Sequence, residues 1–444
     1  MKKRILIITS EHLNPDAILN STFELTQAEI LQEKYEVAII SVILHTPIQE
    51  NFIAVAKRIV LLREFSRTVQ LSRQLLSSLF YRCKRKRNHT QKWIIEGIQV
   101  YEGHGNPLRS VNDHGYSLVN WVDAGLSAYN SYIKENGPPH IIHAHGRFLA
   151  AGVLALKLKS LYHHSFFYTE HSSRFPSGYV PAASIPMLNK VIDQWSLYIA
   201  VSPQLHKKVE ETLDRKIIKA VVIPNAVDSV FTGPLSPPIA AEPFIFSVVA
   251  NLEHRKGIDI LLRAFKKAFH GDPRYLLRLA GEGPEREDLE KLTEYLGLKD
   301  CVFFAGKISK PDVLKLLDNT HVFILPSRFE TFGVAIIEAL ARGCPVVSTI
   351  CGGPEFIVPM ECGILVEPEN EDQLEEALKK IRTNYSRYNR NSIRLYALQR
   401  FGPSVFLASM EKIYSQDDII IDIVNTEKEL QMMSEKPILV PAKP

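Results

Sequence analysis

At 444 residues the chain is longer than one hydrophobic core usually serves, so two domains are expected. Apolar residues make up 45% and charged residues 23%, proportions that exclude a disordered chain, and a formal net charge of +4 is too slight to imply a nucleic-acid partner. Five cysteines (Cys83, Cys301, Cys344, Cys351, Cys362) without a C-x-x-C pair argue for reduced thiols in a cytosol, against a disulfide framework or a structural zinc site.

The start, Met1-Lys2-Lys3-Arg4, imitates the basic end of a signal peptide. Its apolar run, Ile5 to Ile8, is too short for one, so a first buried strand over Ile5 to Thr9 is expected instead. No stretch approaches the ~20 apolar residues that span a bilayer. A helix over Thr22 to Glu33 and a strand over Tyr35 to Val42 complete a β-α-β unit, which places the loop Ser10 to Ser21 at the ligand edge of a parallel sheet.

Residues 57 to 87 hold ten Lys or Arg and one acid, Glu64, with apolar residues (Ile59, Leu62, Phe65, Val69, Leu76, Phe80) at roughly helical spacing. The run ends in Arg82-Cys83-Lys84-Arg85-Lys86-Arg87. A basic amphipathic helix of this kind docks on an anionic membrane surface; the plainer reading is a solvated helix covering the core.

Further on, Ile141 to Ala144 reads as a strand and Leu149 to Lys159 as a helix. His143 and His145 alternate along the strand and so share a face, with His145 nearer the ligand edge. A hydrogen-bonded core histidine is the bland alternative, and a zinc site of His143, His145 and His171 lacks a fourth ligand. Phe166 to Thr169 is another strand, ending in Glu170-His171-Ser172-Ser173. Tyr198 to Ser202 and Val221 to Pro224 close the first half. Gly233-Pro234, Pro237-Pro238 and Pro243 then mark a linker-like stretch.

The second half alternates strands and helices: Phe244 to Ala250, Tyr275 to Ala280, Val302 to Ala305, His321 to Leu325 and Val346 to Thr349 are the strands. That pattern implies a parallel sheet with right-handed crossovers, in which every loop following a strand emerges on one edge. Arg255-Lys256, Gly281-Glu282-Gly283, Glu330 to Gly333 and Gly352-Gly353 should therefore meet at one crevice: two cations, glycine loops and a helix N-terminus, a setting suited to a diphosphate.

The stretch Leu325 to Ala341 (L-P-S-R-F-E-T-F-G-V-A-I-I-E-A-L-A) organises that crevice. A strand ends at Pro326, a short loop carries Glu330, and an apolar helix from Val334 to Ala341 carries Glu338. A carboxylate among apolar neighbours needs hydrogen-bond donors, which ribose hydroxyls could supply. The bland reading pairs Glu338 with a nearby Arg and leaves Glu330 solvated.

The spacing Glu330-x7-Glu338, with Phe332-Gly333 between, resembles the E-x7-E signature of retaining, nucleotide-sugar-dependent glycosyltransferases of the GT-B fold, the group 1 glycosyltransferases. The likeness runs from Phe246 to Glu367 and more weakly over residues 4 to 228. It implies an α/β protein of two Rossmann-like domains facing across a cleft. An acceptor domain would span residues 1–227, a nucleotide-sugar-binding domain 228–399 and a tail 417–444, with a C-terminal helix near 400–416 packing back on the first domain. The implied reaction moves a sugar from a donor such as a UDP- or GDP-sugar to an acceptor hydroxyl, glycan or lipid-linked, in surface polysaccharide or glycolipid assembly at the cytoplasmic face of a membrane.

The resemblance also implies roles. Lys256 would hold the diphosphate, with Arg255 or Asn251 beside it, since Ala250-Asn251 stands where the family has Gly-Arg. Glu330 would hold the sugar hydroxyls and Glu338 the ribose. Gly281, Glu282, Thr331, Phe332, Gly333 and Val334 would complete the donor site. His145 would position the sugar or acceptor, and Glu170 and His171 would border the acceptor side. With no Asp-x-Asp pair at a strand end, cations would take the place of a metal, and no cofactor is expected. Lacking a placed carboxylate nucleophile, the chain would use same-face attack assisted by the leaving phosphate. Two rivals are a sugar-nucleotide epimerase of the same fold and an inactive glycan- or lipid-binding module.

Overall fold

The structure is a computed structural model that describes residues 2–10, 13, 23–44, 89–105, 114–162 and 165–415. The basic run 57–87, the tail 417–444, and all of the loop Ser10 to Ser21 but Ser10 and Leu13 lie outside the described residues. The chain forms two compact units: Met1–Pro15 with Leu31–Tyr168, and Asp16–Ile30 with Thr169–Pro444.

The first unit holds strands β1 (Arg4–Thr9), β2 (Glu36–Leu44), β3 (His89–Ile95), β4 (Ile98–Gly105), β5 (Ile141–Gly146) and the start of β6 (Ser165–Glu170), in the order β3-β4-β2-β1-β5-β6. All the described pairings are parallel except β3 with β4. The central strands β1 (R-I-L-I-I-T) and β2 (E-V-A-I-I-S-V-I-L) read as nearly unbroken aliphatic runs, as expected of parallel strands buried on both faces. Helix α1 (Phe23–Leu31) follows β1 in the chain; α2 (His114–Asn136) and α3 (Ala150–Leu161) pack in this unit. The β3–β4 hairpin turns at Glu96-Gly97, both with positive φ (48° and 79°), a two-residue turn that suits the twist of its strands.

The second unit begins with β7 (Leu197–Ala200) paired in parallel with β8 (Ala220–Val222), and helices α4 (Ile185–Asp193) and α5 (Pro203–Leu213). Its main sheet contains β9 (Phe244–Val249), β10 (Tyr275–Ala280), β11 (Val302–Gly306), β12 (Val322–Leu325), β13 (Val346–Thr349) and β14 (Gly363–Val366). All pairings are parallel, in the order β11-β10-β9-β12-β13-β14. In this order the chain winds outward one way from β9 and then the other way from β12. The crevice above the carboxyl ends of those two strands is the topological switch point, where such sheets bind ligands.

Helices α6 (Ile258–Phe269), α7 (Arg286–Tyr295), α8 (Lys310–Asp318), α9 (Val334–Ala341), α10 (Glu371–Thr383), α11 (Arg390–Phe401) and α12 (Pro403–Tyr414) complete the unit. The core is centred on fully buried Phe246, Leu261, Phe265, Leu277, Ile324 and Leu378. Tyr275 to Ala280, Val334 to Ala341 and Val346 to Thr349 match their expected bounds, and the other expected elements within the described residues are displaced by one to three residues.

The stretch expected to be linker-like is held tightly instead. Arg342, only 2% exposed, donates to the carbonyls of Phe231, Gly233 and Pro234 at 3.3, 2.8 and 2.8 Å and pairs with Asp318 at 2.7 Å. The His321 ring lies 3.0 Å from the Ala240 carbonyl. Proline-rich backbone has few N–H groups to form a ladder, so side-chain donors from the core of the unit bind its carbonyls.

Candidate functional site

Two loops that leave β9 and β12 are laid against each other. Gly257 adopts φ 64°, and a Cβ there would meet the Pro326 carbonyl oxygen at 2.2 Å, so only glycine lets the first loop lie on the second. Arg328 fastens the pair. Its backbone N–H donates to the Arg255 carbonyl at 2.8 Å, and its guanidinium makes two 3.0 Å bonds to the Asp259 carboxylate and another to Glu369. It also donates to the His254 carbonyl.

The clamp sets the next contact. Lys256 Nζ donates to Glu330 Oε2 at 2.5 Å, and Arg255 lies 3.8 Å from the other carboxylate oxygen. Both members of the Lys256–Glu330 pair are buried. Burial would raise the Glu330 pKa, but Lys256 and then Arg255 outweigh it and hold the carboxylate below its ordinary range. The bland alternative of a solvated Glu330 is thus excluded. Arg255 is shared with Glu253 at 2.8 Å, and Asn251 sits over the same Glu253 at 3.5 Å, so Glu253 draws both residues toward it.

Glu338 lies just over one turn into α9 and is half-buried. No hydrogen bond or ion pair reaches its carboxylate among the described residues, and burial pushes its pKa up to about 8. The Arg partner of the bland alternative is absent there. Its charged neighbours are Lys310, which favours the ionised form, and Asp228, which opposes it. Those two form an ion pair with each other, and Thr26 Oγ1 donates to Asp228 at 2.9 Å. Sequence reasoning missed this cluster because its members come from three distant parts of the chain.

The glycines do something other than line a cradle. A Cβ on Gly281 would meet the Ala250 carbonyl oxygen at 1.8 Å, on Gly352 the Glu330 carbonyl at 2.3 Å, and on Gly353 the Phe332 carbonyl at 2.1 Å. Each lets one strand-end loop rest on its neighbour. Glu355 caps the last of these turns, accepting from the backbone N–H groups of Cys351 (3.1 Å) and Gly352 (2.9 Å). Helix α9 begins at Gly333 (φ 111°) without a side-chain cap, so the N–H groups at its mouth keep their capacity for a ligand.

The remaining candidates are placed as follows. Phe332 is a core residue, edge-on to Phe401 with ring centroids 5.9 Å apart. The Thr331 carbonyl accepts from Ser202 Oγ at 2.7 Å. Glu282 forms an ion pair with Arg286. Glu170 spends one carboxylate oxygen on the backbone N–H groups of His171 (2.9 Å) and Ser172 (2.7 Å). The His171 ring packs on Phe23 at 4.1 Å. In the first unit His145 is fully buried opposite Thr9 in register, its ring 4.3 Å from that of His143. Burial drives its pKa down to about 3, so it is neutral at physiological pH. Among the described residues no cluster of three or more His, Cys, Asp or Glu side chains is arranged to hold a metal, and no helix is long and apolar enough to cross a membrane.

Residues 236–397 match the family described as glycosyl transferases group 1, and residues 80–231 match glycosyltransferase family 4. A phosphatidylinositol N-acetylglucosaminyltransferase component from Arabidopsis thaliana is 30% identical over 287 residues, which is 63% of this chain and 59% of its own length. Its Homo sapiens counterpart is 30% identical over 65% of this chain and 58% of its own. The chain thus matches a little under three fifths of the length of these curated relatives. Among solved structures, a sucrose-phosphate synthase from Thermosynechococcus elongatus superposes with a TM-score of 0.68 at 18% identity, covering 93% of this chain and 98% of that one. Anabaena HepE in complex with UDP gives 0.65 at 17% identity, covering 93% and 99%. Likeness at this identity speaks to the fold, which is that of the GT-B glycosyltransferases, and the family matches add that residues 236–397 belong to the group 1 glycosyltransferases.

Proposed function

We propose that the protein is a retaining glycosyltransferase that moves a sugar from a nucleotide-sugar donor to an acceptor hydroxyl. The observation that carries this reading is the buried Lys256–Glu330 pair at the switch point, with Arg255 beside it and the uncapped mouth of α9 in the same loop. Cleavage of the sugar–phosphate bond places negative charge on the leaving diphosphate. Lys256, Arg255 and the N–H groups from Gly333 and Val334 onward stabilise it there, before any solvent need reorganise. Glu330, released from part of its ion pair, accepts from the sugar hydroxyls. Glu338 accepts from the ribose, whose O–H groups supply the donors it lacks within the protein. Neutral His145 positions the sugar or acceptor by hydrogen bonding rather than by charge. The acceptor proton leaves on the departing phosphate as the new bond forms on the same face.

UDP is the first nucleotide to test, supported by the solved structure of HepE with UDP. The acceptor we favour is a glycolipid at the cytoplasmic face of a membrane, supported by relatives named for phosphatidylinositol and by the basic run 57–87. The decisive experiment incubates the protein with UDP-sugars and measures slow donor hydrolysis. Hydrolysis that Glu330→Ala abolishes supports the proposal, and hydrolysis indifferent to Glu330 sinks it. Reversing the charges of Arg82 and Lys84 to Arg87 is expected to release the protein from anionic liposomes in co-sedimentation; unchanged binding would remove the membrane part.

A further inference from the structure

The first unit carries a cavity of about 360 Å³ that the donor site does not use. It lies at the amino edge of the parallel strands. Arg4 opens β1 and Glu36 opens β2 in register with it, Gln99 stands near the start of β4, and Tyr132 comes from the last turns of α2. His145 lies beside Thr9 at the other end of β1, so the cavity is a strand's length away from that edge. The volume is that of a small-molecule site.

The lining is rich in donors. Lys2 Nζ donates to the carbonyls of Gln32 and Glu33, both at 3.0 Å, which fixes it at the C-terminal end of α1 with one N–H left over. Arg4 is tied by its backbone: its N–H donates to His140 Nδ1 at 3.0 Å and its carbonyl accepts from His140 N–H at 2.9 Å. Its guanidinium makes no hydrogen bond or ion pair among the described residues, although its Nε is buried. The hydroxyl of Tyr132, a residue 2% exposed, makes no hydrogen bond among them either. Glu36 lines the cavity too but forms no ion pair with Arg4, so two cations face one exposed carboxylate.

A guanidinium sunk into a cavity with its inner N–H unbonded is costly unless something accepts from it. Its planar fork matches two oxygens of a phosphate, and an ammonium and a phenol on the same walls offer further donors. We infer that this cavity is an oxyanion site of the phosphate class, with the Arg4 fork as principal ligand and Lys2 and Tyr132 as supporting donors. The oxyanion comes either from a soluble phosphate or from a phosphomonoester lipid headgroup. The assignment stands independently of the donor reaction.

The test measures the melting temperature with inorganic phosphate against chloride at matched ionic strength. The full chain carries Lys256→Met to weaken phosphate binding at the donor site, and dependence on Arg4 separates the two sites. Phosphate should raise the melting temperature in that background. Adding Arg4→Met should weaken phosphate binding roughly tenfold or more, while Glu36→Gln, which removes the opposing charge, should tighten it. Arg4→Lys, keeping charge and fold, should bind weakly because the fork is gone. A second arm uses phosphatidylcholine vesicles with and without phosphatidic acid; Arg4-dependent sedimentation there, without a phosphate shift, assigns the headgroup as the source. A phosphate shift equal in the Arg4 and Glu36 variants, or no Arg4 dependence in either arm, overturns the inference.

Discussion

Lys256 Nζ and Glu330 Oε2 stand 2.5 Å apart at the switch point of the second sheet, so the cation proposed for the diphosphate neutralises the carboxylate proposed for the sugar. Without Glu330, Lys256 would be a buried charge lacking its partner, and without Lys256, Glu330 would keep only the more distant Arg255 at 3.8 Å. Lys256→Met is expected to cost about 3–5 kcal/mol of stability and to lower donor turnover by ~10² or more. Combining it with Glu330→Gln should restore much of the stability and none of the activity. Thermal unfolding and donor hydrolysis on the three variants check this; a double variant as unstable as the single one would mean that packing, not charge, sets the cost.

Glu338 gives the site a pH signature. Its folded pKa of about 8 exceeds the ordinary 4.5, so the folded state holds the proton more tightly than the unfolded chain. The associated stability is complete below about pH 4.5 and is lost as pH rises to about 8. Glu338→Gln should therefore be no more stable than the parent at pH 4 and more stable at pH 9, by at most a few (~2–4) kcal/mol. Ribose hydroxyls favour the ionised form, so nucleotide binding near pH 7 should release a proton. Calorimetric titration of UDP in buffers of different ionisation enthalpy detects that release, which Glu338→Gln should abolish.

How much of the fold and the site is legible in the sequence depends on how local the determinants are. The loops that follow β9 and β12 can be brought together from strand alternation alone, because a parallel sheet leaves no choice of edge. The Lys310–Asp228–Thr26 cluster cannot, since residues 82 and 202 positions apart meet only through tertiary packing. The β3–β4 hairpin is absent from the expected elements, although Glu96-Gly97 between two β-rich runs signals it. Glycine spacing suggests a ligand-facing cradle, whereas the Cα atoms abut neighbouring carbonyls, a distinction that spacing does not carry.

That distinction makes its own forecast. Gly281→Ala combines a φ of 143° with a Cβ 1.8 Å from the Ala250 carbonyl, so the loop must move and the cost should exceed ~2 kcal/mol. Gly178 is also left-handed (φ 74°) but has nothing within 4 Å of a Cβ, and Gly178→Ala should cost only ~1 kcal/mol. Urea unfolding of both variants separates the two effects; equal losses would show that backbone conformation alone, not loop contact, explains the glycine at 281.

Arg328 touches neither proposed ligand, yet it joins the loop that carries Lys256 to the loop that carries Glu330. Its two parallel bonds to Asp259 require a planar fork. Arg328→Lys keeps the charge but can satisfy only part of that geometry. The loops should then drift by a fraction of an ångström, enough to disturb a site whose charges are aligned in advance. We expect kcat to fall roughly tenfold, with a loss of stability of about 1–2 kcal/mol from the surrendered charge-assisted bond. Asp259→Asn, which weakens the same clamp from its other side, should give the same kcat defect, and the double variant should be no worse than either single one. A double-variant effect equal to the product of the two would mean that Arg328 acts on the site by some route other than Asp259.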